Sequence, residues 1–400
     1  MSQAVSSAAR VAVPTVDSLE EAARQAVGFG DFGDPAYREG LRVLLDAYAQ
    51  ASELNARGRA WWVETHLLEV LKNRLVAQRA WIEHPAILRT EIRRPIFIVG
   101  LVRTGTTALH NLLGQDPNMQ VLEHWMGLYP SPRPPVAEWD EDPRFRRTRD
   151  LLERMYRKAP RLKAVHLMTA GGPDECGALM EQNFTSDTFD CSAALPAYSE
   201  WYDRQEMLAS YARHRDLLKL IGSTSPQRRW VLKYPTHVGY LRALFGVYPD
   251  ACIVHTHRDP AKVIPSVCSL VGGTYALYQE HVDRRALGAF LLARWAARVD
   301  RALEVRRTHD PRQFFDLHLR EIVSDPVGAA KRIYRHFDIE LSPEAERRFT
   351  QWQMENPRGK HGEHQYAAEE FGLSEDLIAE RFARYMQQFG IARERSRSVA

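Results

Sequence analysis

The sequence predicts an α/β fold in which helices flank a central parallel sheet, preceded by an N-terminal helical extension. Short, continuous apolar runs such as IFIVG at residues 96–100 are typical of strands that are buried on both faces. The strands RWVLKY (229–234) and ACIVHTHR (251–258) are joined by a helical segment, which is the βαβ pattern of a parallel sheet. QFFDLHL (313–319) is predicted as a further strand.

The length of 400 residues suits one α/β domain with helical additions. Residues 1–92 are predicted to be the helical extension, because apolar residues recur at three- and four-residue steps. The glycine-rich segment 28–35 should separate its first helices. Residues 93–400 are predicted to form the α/β domain, with a helical insertion at about 138–228. Three tryptophans either pack the N-terminal helices together or cover a substrate: Trp61, Trp62 and Trp81.

Composition gives no indication of a nucleic-acid partner or of an integral membrane segment. The 54 basic and 51 acidic residues nearly balance at +3, so no global charge demands nucleic acid or an anionic membrane. Four scattered cysteines without a C-x-x-C spacing favour a reduced cytoplasmic protein without a zinc site. The N-terminus lacks a signal-peptide core, and no apolar run reaches the roughly 18 residues of a membrane span. Peripheral membrane contact and oligomeric state stay open.

A glycine-rich loop follows the first predicted strand and precedes a predicted helix. Its spacing is that of the phosphate loop G-x-x-x-x-G-K-[ST]. Backbone amides of such a loop, together with the positive end of the next helix, hold an anion, so the sheet is predicted to be P-loop-like. The alternative is a glycine turn that arose by chance. The loop reads Gly100-Leu101-Val102-Arg103-Thr104-Gly105-Thr106-Thr107.

The loop departs from that pattern at one informative position. Thr106 stands where nucleoside-triphosphate enzymes carry the lysine that contacts the β- and γ-phosphates. ATP or GTP hydrolysis is therefore not favoured. The cation of this loop is Arg103, which suits a single phosphate or phosphosulfate better than a magnesium triphosphate.

A second anion cluster follows the strand ACIVHTHR. Arg258 ends this strand, and Ser266 lies eight residues later on the next helix or turn. Ligands of open parallel sheets collect at the carboxyl ends of the strands. The guanidinium offers two parallel donors to a phosphate, and the hydroxyl adds a third. The alternative is a surface Arg–Asp turn followed by an ordinary helix serine.

Together the two clusters resemble the sulfotransferase family that uses 3′-phosphoadenosine-5′-phosphosulfate (PAPS), in its bacterial branch. The family's 5′-phosphosulfate loop reads R/K-[ST]-G-T-[TS], and its 3′-phosphate site pairs an arginine with a serine eight residues on. A late family loop of the R-K-G-x-x-G type, which closes over the donor, is matched more loosely by RGKHG (358–362). The resemblance implies three groups of donor-binding residues: Arg103, Thr104, Gly105, Thr106 and Thr107; Arg258 and Ser266; and Arg358 and Lys360.

The resemblance implies in-line transfer of a sulfuryl group from PAPS to a hydroxyl acceptor by an enzyme without a metal. The product is adenosine-3′,5′-bisphosphate, and the acceptor is a small molecule, a lipid or a glycan. The resemblance implies that Lys233 contacts the bridging oxygen or the sulfuryl group. Arg103 is predicted to be a second catalytic cation. Two alternatives stay open: a P-loop nucleotide kinase or NTPase, and a catalytically silent nucleotide-binding protein.

Three side chains compete as the general base. His237 follows Lys233 in KYPTH, although this spacing is wider than in the cytosolic animal members of the family. Its unperturbed pKa of about 6.5 suits proton abstraction near neutrality. Glu123 and His124 follow the helix of the glycine loop. Some family branches use a glutamate in this region, so the choice between His237 and Glu123 stays open.

Other polar and aromatic segments allow two interpretations each. The proline-rich segment YPSPRPP (129–135) either shapes the acceptor pocket or forms a rigid surface connection. His255 and His257 alternate on a strand and share one face, but the sequence identifies no third ligand, so no metal site is predicted. A set of aromatic residues belongs either to the core or to an apolar acceptor site: Trp125, Phe184, Phe189, Tyr198, Trp201 and Tyr202.

Overall fold

The computed structural model describes residues 12–158, 167–356 and 367–394. Within these ranges, five strands form one parallel sheet in the order β2-β3-β1-β4-β5. The predicted parallel α/β fold is confirmed. The sequence did not predict β2, because two residues are too few to show a strand pattern. The strands are β1 (Ile96–Gly100), β2 (Met119–Gln120), β3 (Arg229–Lys233), β4 (Cys252–His257) and β5 (Phe314–His318).

Strand β1 lies at the centre of the sheet and is buried along its whole length. Its register aligns Ile98 with Lys233 of β3 on one side and with Val254 of β4 on the other. Because successive side chains alternate between the faces, Ile98 packs into one core and Phe97 into another. This burial on both faces explains why the strand reads as a continuous apolar run.

The N-terminal extension is helical, as the apolar periodicity predicts. Thr15 accepts a hydrogen bond from the Ser18 amide in a capping box, and Gly28 ends the first helix at φ +65°. The glycine-rich segment that follows separates the first two helices. The extension contains α1 (Val16–Val27), α2 (Tyr37–Gln50), α3 (Ala56–Gly58), a π-helix (Arg59–His66), α4 (Leu67–Glu83) and a 3₁₀ turn (Pro85–Arg89).

Helices also connect the first four strands. The stretch between β2 and β3, which includes the predicted helical insertion at about 138–228, contains helices of 4 to 16 residues, and several of them contribute to the core on the Phe97 face of the sheet. The helices are α5 (Thr106–Leu113), α6 (His124–Leu128), α7 (Pro143–Lys158), α8 (Gly177–Met180), α9 (Pro196–Asp203), α10 (Leu208–Ile221) and α11 (Leu241–Val247). Four 3₁₀ turns accompany them among the described residues: Val136–Glu141, Glu181–Asn183, Gly222–Thr224 and Pro235–Tyr240.

The remaining helices follow β4 along the chain. They are α12 (Pro260–Tyr278), α13 (Arg284–Arg306), α14 (Leu319–Ser324), α15 (Pro326–His336), α16 (Pro343–Glu355), α17 (Glu375–Arg381) and α18 (Ala383–Gln388), with 3₁₀ turns at Pro311–Gln313 and Ala368–Phe371. Among the described helices, none combines the length and the apolar composition that spanning a bilayer requires.

The sheet separates two hydrophobic cores. The smaller core packs α5, α15 and α16 against the face that carries Ile98. The larger core covers the opposite face and joins residues of the N-terminal extension, such as Leu41, to residues of the α/β part, such as Leu232. Shared apolar burial therefore ties the extension to the rest of the chain. The boundary at residues 92 and 93 stays a prediction.

Candidate functional site

The glycine loop, residues 101–105, connects the end of β1 to the start of α5. Gly100 has φ +139°, and a Cβ atom there would lie 2.5 Å from the carbonyl oxygen of Thr256 on β4. Gly105 has φ +90° and caps α5. Both positions require glycine, since a side chain would be strained and would collide with neighbouring atoms. The first amides of α5 have no partner within the helix, so they are available to an anion at this edge of the sheet.

The three threonines of the loop have different surroundings. Thr104 is buried, and its hydroxyl hydrogen-bonds to the Leu101 carbonyl and to the hydroxyl of Thr256, both at 2.6 Å. Its side chain therefore fixes the loop to β4. Thr106 is also buried, whereas Thr107 faces outward on the first turn of α5. Of the three hydroxyls, that of Thr107 is the most accessible to a ligand.

Arg258 and the glycine loop lie side by side at the carboxyl edge of the sheet. The Nη1 atom of Arg258 donates to the carbonyl oxygen of Arg103 at 3.3 Å. The parallel topology explains this contact, because neighbouring strands β1 and β4 end at the same edge. Ser266 lies in the second turn of α12 and is 5% exposed. The structure thus brings Arg258 of the second predicted anion cluster into contact with the glycine loop of the first.

Lys233 ends β3 and points to the face of the sheet that carries α5. Its Nζ atom lies 3.4 Å from the hydroxyl oxygen of Thr107 and 2.6 Å from Oε1 of Glu175. The lysine side chain is only 2% exposed, whereas Glu175 is 30% exposed. Lys233 therefore places a cation at the mouth of the glycine loop, and Glu175 balances its charge.

An imidazole–carboxylate pair lies beside Lys233 and Glu175. His124 is the first residue of α6, and its Nδ1 atom hydrogen-bonds to Oδ2 of Asp174. Two backbone hydrogen bonds align the segments: Asp174 N to the Leu122 carbonyl at 2.7 Å and His124 N to the Gly172 carbonyl at 3.0 Å. Burial disfavours protonation of His124, but the carboxylate of Asp174 raises its pKa overall.

Sequence reasoning missed Asp174 and Glu175. They follow two glycines and a proline in GGPDECG, inside a stretch interpreted only as helical. Such a turn-forming segment carrying two carboxylates is a signal that could have marked them as site residues.

Glu123 is buried and pairs with Arg133, whereas the adjacent His124 pairs with Asp174. Oε2 of Glu123 accepts a hydrogen bond from Nε of Arg133 at 3.1 Å, and Arg133 also donates to Gln120 at 3.0 Å. Burial raises the pKa of Glu123, although the guanidinium opposes that shift. The ion pair anchors the proline-rich segment 129–135 to the end of β2.

His237 lies in the larger core. Its side chain is 1% exposed, its Nδ1 atom lies 2.6 Å from the hydroxyl of Tyr211, and its ring packs edge-on against Phe97. Because Phe97 and Lys233 project from opposite faces of the sheet, His237 and Lys233 do not converge on one site. Burial and the neighbouring His214 hold the pKa of His237 well below its usual range. In this conformation, the His237 ring is shielded from solvent.

His255 and His257 do share one face of β4, and Asp316 of β5 lies beside them. Oδ1 of Asp316 lies 2.9 Å from Nε2 of His257, and its Oδ2 accepts from Arg306 at 2.7 Å. A guanidinium therefore already neutralises the only carboxylate in this group of potential ligands. The arrangement favours a hydrogen-bond network between β4, β5 and α13 over a cation site.

Most of the aromatic residues considered for an acceptor site are core residues. Trp62 and Trp81 of the extension are likewise buried, so they pack helices. Trp61 and Trp201 are half-buried. The other five are fully buried, which favours the core alternative for them: Trp125, Phe184, Phe189, Tyr198 and Tyr202. Arg358 and Lys360 lie outside the described residues, so their predicted role stays a prediction.

Two cavities lie near the sheet. The larger, of about 620 Å³, lies at the amino end of β3 near Arg229, on the edge opposite the glycine loop. The smaller lies between the π-helix, α6 and α7, where Trp61, Leu128 and Leu151 contribute to its mostly apolar wall. Ligands of parallel sheets bind at the carboxyl edge, and α6, which follows the carboxyl end of β2, contributes to the smaller cavity, so this cavity is the better candidate for a substrate site.

Comparison with known proteins gives a consistent result. The model of the sulfotransferase family matches residues 95–343. The chain is 25% identical over 267 residues to omega-hydroxy-beta-dihydromenaquinone-9 sulfotransferase Stf3 of Mycobacterium bovis and to the same enzyme of Mycobacterium tuberculosis. That match covers 61% of this chain and spans 63% of the length of these curated relatives.

Two solved structures resemble the whole described fold. Sulfotransferase STF1 from Mycobacterium tuberculosis H37Rv superimposes with a TM-score of 0.83 at 38% identity, covering 93% of this chain and 99% of its own. Sulfotransferase STF9 from Mycobacterium avium superimposes with a TM-score of 0.88 at 27% identity, covering 98% and 100%. With the glycine loop, Arg258 and Lys233 gathered at one edge of a parallel sheet, this chain belongs to the sulfotransferase family.

Proposed function

We propose that this chain transfers a sulfuryl group from PAPS to a hydroxyl group of a small molecule or lipid. The observation that carries the proposal is the contact between Arg258 and the Arg103 carbonyl. It makes the two anion clusters neighbours, as a nucleotide with phosphates at both its 3′ and 5′ positions requires.

The proposed donor site uses the residues named from the sequence. The loop residues 103–107 and the start of α5 hold the 5′-phosphosulfate, and Arg258 with Ser266 holds the 3′-phosphate. Charge-assisted hydrogen bonds from a guanidinium and from amides at a helix start suit both anions. Arg358 and Lys360 are proposed to close over the donor, as the resemblance implies.

Lys233 is proposed to stabilise the transferring group. Its ammonium lies beside Thr107, where it can neutralise charge that develops on the bridging oxygen as the bisphosphate leaves. Arg103 supplies the second cation. The sulfuryl group carries less charge than a terminal phosphate, so no metal is invoked.

The acceptor is proposed to enter by the cavity between the π-helix and α6. Its wall includes Trp61 from the N-terminal extension and Tyr129 from the proline-rich segment, and it is mostly apolar. Such a wall suits an apolar alcohol or phenol. The curated relative is named for a hydroxylated dihydromenaquinone, which is a lipid alcohol. Lipid alcohols are therefore the first compounds to test here.

Thermal-shift measurements with PAPS, adenosine-3′,5′-bisphosphate, ATP and GTP test the donor assignment. We expect stabilisation by the two 3′-phosphorylated nucleotides, with or without magnesium, because ligands that bind the native state raise its melting temperature. Magnesium-dependent stabilisation by ATP or GTP alone would favour a nucleotide kinase or NTPase. Bisphosphate binding without transfer to any of a panel of alcohols and phenols would favour a silent nucleotide-binding protein.

A further inference from the structure

The carboxyl edge of the sheet carries its polar groups in a spatial order. Arg258 follows β4, the glycine loop follows β1, Lys233 ends β3, and His124 follows β2. Under the proposed function, the donor occupies the β4 and β1 end of this row, with its sulfuryl group at Lys233. The acceptor is then left with the β3 and β2 end, where its hydroxyl must meet a base.

The polar side chains at the β3 and β2 end of this edge contact one another in sequence. Thr107 lies 3.4 Å from the ammonium of Lys233, which lies 2.6 Å from the carboxylate of Glu175. The next residue along the chain, Asp174, hydrogen-bonds to His124. His124 and Asp174 keep side-chain exposures of 15% and 22%, so a substrate can reach them.

We infer that His124, held in position by Asp174, is the general base that removes the proton from the acceptor hydroxyl. This inference rests on the proposed function and deepens it. Asp174 fixes the imidazole tautomer, because its carboxylate accepts the Nδ1–H and leaves the lone pair of Nε2 for the acceptor. Among the described residues, none hydrogen-bonds to that Nε2 atom. Asp174 is a positioning residue in this scheme, as the acid is in other His–Asp pairs.

The step balances with the groups named. The acceptor O–H proton passes to Nε2 of His124, and the freed electron pair of the acceptor oxygen forms the new O–S bond. The bond between sulfur and the bridging oxygen of PAPS breaks, and its electron pair leaves on the 5′-phosphate beside Lys233. The products are the sulfated acceptor, adenosine-3′,5′-bisphosphate and an imidazolium that returns its proton to solvent.

The two rival bases are less suited to this step. The side chain of Glu123 is ion-paired to Arg133 and only 9% exposed. His237 is buried on the face of the sheet opposite Lys233. His124 alone of the three has both an accessible ring and a carboxylate that orients it.

The titratable groups around the pair affect its pH dependence. Glu175, the next residue in the sequence, and Lys233 of β3 lie beside the His124–Asp174 pair. The charge of Asp174 also acts to raise the pKa of His110 in α5 and of Tyr156 in α7. Because the Asp174 carboxylate raises the pKa of His124, replacing Asp174 with asparagine should lower the pKa of His124. The acid limb of kcat/KM, which reports the base in the free enzyme, should therefore move to lower pH in Asp174→Asn.

The test compares His124→Asn, Asp174→Asn, Glu123→Gln and His237→Asn in the full chain. Asparagine keeps an N–H donor near Nδ1 for Asp174 but removes Nε2. Turnover is measured on an aliphatic alcohol and on a nitrophenol that is already ionised at the assay pH. His124→Asn should slow transfer to the alcohol by about 10²–10⁴-fold and transfer to the nitrophenol far less, because only the alcohol needs a base.

Calorimetry with adenosine-3′,5′-bisphosphate and thermal unfolding separate loss of chemistry from loss of structure. We expect His124→Asn to bind the bisphosphate and to melt like the wild type, and His281→Asn to serve as an exposed-histidine control with full activity. Wild-type alcohol turnover in His124→Asn, or an equal loss with both acceptors, overturns the inference. A wild-type protein that binds no bisphosphate instead removes the proposed function itself.

Discussion

The guanidinium of Arg258 and the carboxylate of Glu394 form a two-pronged ion pair. Nε of Arg258 donates to Oε1 of Glu394 at 2.9 Å, and Nη2 donates to Oε2 at 3.0 Å. The backbone amide of Glu394 is itself held by Asp259 at 2.7 Å. A carboxylate from the C-terminal segment thus uses the parallel donors that the proposed 3′-phosphate would use.

Glu394→Gln should strengthen nucleotide binding, because the phosphate no longer competes with a carboxylate for Arg258. The pair is partly exposed, so its contribution is about 0.2–1 kcal/mol, equivalent to about 1.5- to 5-fold in affinity. Calorimetry with adenosine-3′,5′-bisphosphate checks the expectation. Adenosine 5′-monophosphate is the matched control and should bind both proteins equally; an unchanged bisphosphate affinity would show that the two anions do not compete.

Arg258→Ala should weaken binding of adenosine-3′,5′-bisphosphate much more than binding of adenosine 5′-monophosphate. The loss of a charge-assisted hydrogen bond costs on the order of 1.5–3 kcal/mol, or about 10- to 150-fold in the dissociation constant. Titration of the two nucleotides against wild type and variant measures the difference. Parallel losses for both nucleotides would remove Arg258 from the 3′-phosphate site.

Lys233→Met should lower turnover while leaving bisphosphate affinity close to that of the wild type. Methionine keeps the apolar stem but removes the ammonium beside Thr107, so leaving-group charge loses its stabilisation. We expect a fall of about 10²–10³-fold in kcat. Steady-state kinetics with saturating PAPS provide the measurement. Because Glu175 loses its partner as well, Lys233→Met/Glu175→Gln is the control; recovery of activity in that double variant would contradict a direct role for the lysine.

Gly100→Ala should destabilise the fold at the start of the glycine loop. The added Cβ atom would lie 2.5 Å from the Thr256 carbonyl oxygen, at a φ of +139° that alanine avoids. The expected loss is about 1–3 kcal/mol in the free energy of unfolding, measured by chemical denaturation. Gly273→Ala in α12 is the matched control, since no atom lies within 4 Å of its added Cβ. It should be neutral or stabilising by about 0.5–1 kcal/mol.

The strands and the glycine loop were predictable because their signals are local. The run IFIVG predicts a strand buried on both faces, and the spacing of Gly100 and Gly105 predicts a tight anion-binding turn. The two-residue strand β2 was not predictable, because so short a segment shows no periodicity. Its pairing with β3 depends on contacts formed by the assembled sheet.

The roles of the polar residues were harder to predict. His237 and Lys233 are four residues apart in the sequence, yet the turn after β3 sends them to opposite faces of the sheet. His124 and Asp174 are fifty residues apart, yet short backbone hydrogen bonds align their segments. Proximity along the chain therefore said little about which side chains meet.

The sequence by itself determined the parallel α/β architecture, the glycine loop and the arginine that follows β4, because backbone preferences and apolar runs act over a few neighbouring residues. Only the tertiary structure decided that Asp174 meets His124, that Glu175 meets Lys233 and that Glu394 reaches Arg258. These contacts depend on the strand order and on how distant segments pack. The physical reason is that side-chain electrostatics act through space, whereas the sequence orders residues only along the chain.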